Sequence, residues 1–119
     1  MLRIARTLIA LTTLALFSSP ALAVEPIDGT YVDPGGYVEI RVGASGNTRS
    51  GDITRIIRRK PGASLNDENN DNPALRDRPM LGLRILSDLR WDDGAWRGKV
   101  YNPEDGGTYR TEVRPRPNG

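Results

Sequence analysis

Asp67-Glu68-Asn69-Asn70-Asp71-Asn72 is a run of side-chain oxygen donors. Its first, third and fifth positions match the spacing at which a calcium loop presents its ligands. The match then fails. The sixth position is Asn72 where the loop needs glycine, and the bidentate acid required at the twelfth falls on Arg78. Asx-turn chemistry, in which short polar side chains bond the nearby backbone, accounts for the same composition. Carboxylates are also paired at Asp92-Asp93 and Glu104-Asp105, as two acids flanking a sugar would be in a glycosidase. Both pairs lie where the chain should turn between strands, and acids are common in turns for solvation alone.

The chain contains no histidine and no cysteine. Triads built on those side chains, and the usual zinc, copper and haem ligand sets, are therefore excluded. A carboxylate acting near neutral pH would need a raised pKa, which a sequence does not display. No catalytic residue, metal site or cofactor is assigned.

Arg55, Arg58, Arg59 and Lys60 form a basic cluster that could meet an anionic surface. The preferred reading is a charged strand end that discourages edge pairing. The aromatic set Trp91, Trp96, Tyr101 and Tyr109 could line an apolar pocket or pack the core.

These side chains need elements to hold them, and the pattern calls for strands. Gly29 to Asp33 is a short strand candidate ended by the turn Asp33-Pro34-Gly35-Gly36. Tyr37 to Val42 alternates, placing Val38, Ile40 and Val42 on one face with Glu39 and Arg41 on the other. After a loop from Gly43 to Ser50, a third strand is predicted over Gly51 to Lys60. Residues 61–79 read as one long polar loop with a helical turn around Ala74, a length that is usually functional or disordered. A fourth strand is predicted to start at Leu81 and to end at Asp92-Asp93-Gly94.

The next strand puts Trp96, Gly98 and Val100 on one face and Arg97, Lys99 and Tyr101 on the other. A reversal over Asn102 to Gly107 leads to a last strand with Tyr109, Thr111 and Val113 inward. About six strands in an antiparallel meander, with no alternating helices, indicate an all-β barrel or sandwich.

The amino terminus has the three parts of a cleavable export signal. Arg3 and Arg6 precede an apolar run from Leu8 to Phe17, and Ala21-Leu22-Ala23 supplies the small residues of a cleavage site. The run is too short for the roughly 20 residues of a spanning helix, so no transmembrane anchor is expected. Residues 1–23 are read as the signal and 24–119 as a single β-rich domain, periplasmic or secreted once cut near Ala23. The formal charge of +2 arises from 17 basic and 15 acidic groups, and Arg3 and Arg6 alone account for the excess. The remaining domain is neutral, which argues against a nucleic-acid partner.

The run Asn72-Pro73-Ala74-Leu75-Arg76-Asp77-Arg78-Pro79-Met80-Leu81-Gly82-Leu83-Arg84-Ile85-Leu86, together with Trp96 to Tyr109, resembles the domain of unknown function 2147, a family of small exported bacterial proteins. Asp28-Gly29-Thr30-Tyr31 and Gly51-Asp52-Ile53 also fit, with Tyr31 where the family usually has tryptophan. The resemblance implies a compact, lipocalin-like antiparallel fold and carries no established activity. It differs in two ways: the family commonly has cysteines where this chain has none, and it continues beyond the tyrosine hairpin with further strands. Ending at Gly119 would leave the sheet edge unpartnered. The expectation is a partly open barrel whose edge is covered by a second copy, or a shortened member of the family.

The function expected on these grounds is non-enzymatic binding of a small apolar or amphipathic ligand in the cell envelope. Arg76 and Arg78, from the run that carries the resemblance, join Trp96, Tyr101 and Tyr109 as candidate ligand contacts. The alternatives are an interaction module docking through its exposed edge and a carboxylate-dependent enzyme.

Overall fold

The computed structural model describes residues 23–116. The segment read as an export signal lies almost wholly in residues 1–22, outside the described residues. Six strands follow one another: β1 (Gly29–Val32), β2 (Val38–Ser45), β3 (Thr48–Ile56), β4 (Arg84–Asp92), β5 (Ala95–Asn102) and β6 (Gly107–Val113). They form one antiparallel sheet in sequence order, and β1 does not pair with β6. The fold is thus the expected all-β meander, open at both edges. Among the described residues, no helix is long and apolar enough to cross a membrane.

Period-two alternation decides which way each strand faces. Val42 is buried while Arg41 is exposed, and Ile40 of β2 lies opposite Ile53 of β3, so both isoleucines occupy one side of the sheet. The other side carries ion pairs, including Arg84–Asp52 at 2.9 Å and Arg55–Glu39 at 3.2 Å. Ile27, Val42, Leu89 and Trp96 are buried together, with Ile40, Leu86, Trp91 and Val113 packed against them. Trp91 meets Trp96 edge to face at 5.8 Å between centroids, a favoured aromatic geometry. Complete burial of an aliphatic side chain contributes about 1.5–3 kcal/mol. The largest fully buried apolar groups, Ile53 and Leu89, therefore anchor the sheet at two separate points.

Three expectations need correction. The stretch from Gly43 to Ser50 is no loop: β2 and β3 run on until only Gly46 and Asn47 separate them, with Ser45 opposite Thr48. Backbone pairing continues there through small and polar residues whose side chains show no apolar alternation. Leu81 and Gly82 form a turn before β4. Leu83 is still buried, and its carbonyl accepts the Ile53 N–H at 2.9 Å, so the apolar signal at Leu83 reflects burial without strand geometry. Tyr109 lies opposite Val100 as its inward assignment requires, yet half of it is exposed. The Asp93-Gly94 turn is as expected, with φ of 50° and 84°, the left-handed pair that a two-residue hairpin demands.

Residues 61–79 leave the sheet as a closed excursion. Asn66 bridges Pro79, the Asp67 N–H donates to the Arg78 carbonyl at 2.9 Å, and the Met80 N–H donates to the Leu65 carbonyl at 2.8 Å. A 3-10 turn over Pro73–Leu75 is capped by Asn72, whose side chain accepts from the Ala74 N–H, in agreement with the helical turn expected at Ala74.

Candidate functional site

Where the excursion folds back over one end of the sheet, it encloses a concavity of about 760 Å³, open to solvent. That volume lies in the range of small-molecule sites. The floor is apolar: Val38 and Ile40 come from β2, Ile53 and Ile56 from β3, Ile85 from β4, and Met80 from the end of the excursion. Ile85 reaches this floor because the β3–β4 register shifts there: Gly51 lies opposite Leu86 while Asp52 lies opposite Arg84. An extra residue in one strand turns its side chain aside from the alternation.

The rim is polar and comes from three turns. Asp33, at the start of the β1–β2 turn, accepts from the backbone N–H groups of Tyr37 at 2.7 Å, Val38 at 2.8 Å and Gly35 at 3.2 Å. Desolvation pushes its pKa up, but these bonds outweigh it and hold the carboxyl below its ordinary value. Arg58 stacks over the Tyr37 ring at 4.5 Å and donates to the Gly35 carbonyl at 2.6 Å. Lys60 donates to Glu104 of the β5–β6 turn at 2.6 Å, which raises its pKa. Arg59 donates to the Ala63 carbonyl at 3.4 Å.

Beside the concavity, a buried polar network fixes the excursion to β5. Asp67 has no exposed surface. Its carboxylate accepts from the Tyr101 hydroxyl at 2.6 Å, the Asn70 amide at 2.8 Å and the Arg78 guanidinium at 3.0 Å. Desolvation raises the Asp67 pKa, and the bonds from Tyr101, Asn70 and Arg78 together more than reverse it, leaving the group below its ordinary value. The Tyr101 hydroxyl moves the other way, raised by burial and by the neighbouring carboxylate. Arg76 donates to the Asn70 carbonyl at 2.8 Å, and the Asn69 amide donates to the Pro103 carbonyl at 3.3 Å. Gly106 sits directly beneath the Asn69 carbonyl with φ of 76°, and a Cβ there would strike that oxygen.

Of the five candidate contacts, the structure brings three together. Arg76, Arg78 and Tyr101 meet around Asp67 and Asn70. Trp96 is in the core, its Nε1 donating to the Glu25 carbonyl at 2.7 Å. Tyr109 stands apart and donates to Asp105 at 2.6 Å. None of the five lines the concavity. Sequence reasoning missed Tyr37, the isoleucine floor and the buried role of Asp67. The alternation around Ile40 marked a buried face, but no local signal said that part of that face would remain uncovered.

The family described as "Uncharacterized protein conserved in bacteria (DUF2147)" matches residues 29–119. The fold is similar to that of HP1028 from Helicobacter pylori, described as belonging to the lipocalin family, with a TM-score of 0.62 and 26% identity. The similarity covers 82% of this chain and 68% of that one. No curated protein matches the chain.

Proposed function

The chain belongs to the DUF2147 family of bacterial proteins, and from that premise we propose that it is an exported, non-enzymatic binding protein for a small amphipathic ligand. The observation that carries this reading is the concavity, an isoleucine-rich floor under a charged rim. An apolar hollow with a few convergent polar groups is the ordinary form of a ligand site. The lipocalin-family likeness of the fold supports it. Placement in the periplasm or outside the cell rests on Arg3, Arg6, the apolar run Leu8 to Phe17 and the small residues before Val24. Arg76, Arg78 and Tyr101 serve the ligand by holding the excursion that walls the site. Trp96 and Tyr109 continue the same face of the sheet toward its open edge.

A neutral amphipathic fluorophore, N-phenyl-1-naphthylamine, tests the reading. Titration into the processed chain is expected to give saturable, one-to-one fluorescence enhancement. Ile56→Glu puts a charge on the floor at the end of β3 and forgoes about 1.5–3 kcal/mol of apolar contact, so binding should weaken at least tenfold, roughly 1.4 kcal/mol. Linear, non-saturating enhancement, or equal binding by the variant, would overturn the assignment. A second reading, docking through a sheet edge, is favoured by β1 and β6, each of which has a strand neighbour on one side only. That reading gains if the fluorophore fails to bind while the chain dimerises on sizing.

A further inference from the structure

The rim carries charge of both signs, and the way each charge is engaged separates them. Six ionic side chains line the concavity: Asp33, Glu68 and Glu104 against Arg58, Arg59 and Lys60. Glu104 and Lys60 form an ion pair. The Asp33 oxygens are taken up by three backbone N–H groups of their own turn. Glu68 accepts the Ser64 N–H at 3.3 Å. Among the described residues, neither Arg58 nor Arg59 has a carboxylate partner, and each bonds only a backbone carbonyl. A guanidinium has five N–H donors and loses no charge to a carbonyl, so both arginines retain donors and a full positive charge at the mouth. Arg58 is also held in place by Tyr37 and by the Gly35 carbonyl. A pre-oriented fork of this kind suits a planar, bidentate anion better than a point charge.

Resting on the ligand-binding reading above, we propose that the ligand is a single-chain amphiphile with an anionic head, its chain over Ile40, Ile53, Ile56 and Ile85 and its carboxylate between Arg58 and Arg59. Charge complementarity selects this occupant. Asp33 and Glu68 keep their charge too but accept from N–H groups of their own segments, whereas a neutral or cationic head would leave the remaining N–H donors of the two guanidinium groups without an anionic acceptor.

Displacement of N-phenyl-1-naphthylamine by three ligands with the same chain tests the head group: dodecanoate, dodecanol and dodecyltrimethylammonium, each below its aggregation limit. Dodecanoate is expected to displace the fluorophore at concentrations at least tenfold lower than dodecanol, with the ammonium weakest, and the advantage should shrink as salt is raised. In Arg58→Gln/Arg59→Gln the ratio of dodecanoate to dodecanol should fall to near one. In Arg58→Lys/Arg59→Lys part of it should return. Equal displacement by all three heads, or an undiminished preference in the glutamine variant, overturns the anionic-head proposal alone. Failure of the fluorophore to bind the unmodified chain overturns the ligand-binding reading as well.

Discussion

Asp67→Ala is expected to lower the thermal midpoint of residues 24–119 by roughly 10 °C or more and to free the excursion from β5. The carboxylate is fully buried and accepts from Tyr101, Asn70 and Arg78 at once. Removing it leaves the Tyr101 hydroxyl proton without its acceptor and Asn70 with only its 3.1 Å bond to the Tyr101 oxygen. Hydrogen bonds to a charged group are worth about 1.5–3 kcal/mol, and leaving buried partners unpaired adds to the loss. Arg78 is 38% exposed, so water recovers part of its share. A net loss of about 2–3 kcal/mol follows, and each kcal/mol shifts the midpoint of a domain this size by about 4–8 °C.

Acid should reveal the same network. The folded Asp67 pKa lies below its unfolded value, so its contribution is fully present above the unfolded value, near 4. It disappears as pH falls through the lower, folded value. Part of the stability lost as pH falls below about 5 should therefore be absent in Asp67→Ala, as chemical denaturation along the pH axis would show. Asp33, Asp105 and Glu112 are also lowered and account for a remaining slope. If variant and parent fall in parallel, Asp67 is not held as described.

Leu89→Ala is the more damaging core change. Leu89 has no exposed surface and sits among Ile27, Val42 and Trp96. It follows Asp88, whose φ of 54° marks the irregularity between Ser87 and Arg90 in the β4–β5 ladder. Gly98 crosses directly beneath, where a Cβ would meet the Ser87 carbonyl at 2.5 Å. With the backbone this close, the cavity has little room to collapse, and buried leucine-to-alanine changes cost about 2–5 kcal/mol, more where relaxation is poor. Small domains have only about 5–15 kcal/mol in total, and this one has no disulfide to restrict its unfolded state. Denaturant melts should move to far lower midpoints, and the near-ultraviolet dichroism of the Trp91–Trp96 pair should weaken. An unfolding free energy within about 1 kcal/mol of the parent would deny Leu89 its central place.

The strands were legible wherever one face is dry and the other wet. Val38-Glu39-Ile40-Arg41-Val42 announces β2, and Ala95 to Tyr101 announces β5, because period-two burial is a local property. The Gly43 to Ser50 stretch was misread because its pairing depends on backbone geometry between small residues, which leaves no apolar trace. The excursion was recognised from its polar composition. Its two buried members were not, since Asp67 and Asn70 owe their burial to Tyr101, more than thirty positions away. The floor of the concavity was half visible: alternation identifies Ile40 as buried, whereas Ile85 is turned in by a register shift that no spacing rule displays. Arg58 and Arg59 stood out as a cluster, but their lack of acid partners emerged only from the folded rim.

Six isoleucines follow residue 23, and they fall into two groups. Ile40, Ile53, Ile56 and Ile85 line the concavity, Ile40 also touching the core cluster; Ile27 belongs to that cluster and Ile57 is exposed. Methyl NMR of residues 24–119 saturated with N-phenyl-1-naphthylamine should move the δ1 resonances of the four that line the concavity and leave those of Ile27 and Ile57 in place. Shifts centred on Ile27 or Ile57, or none at saturation, would contradict the binding face.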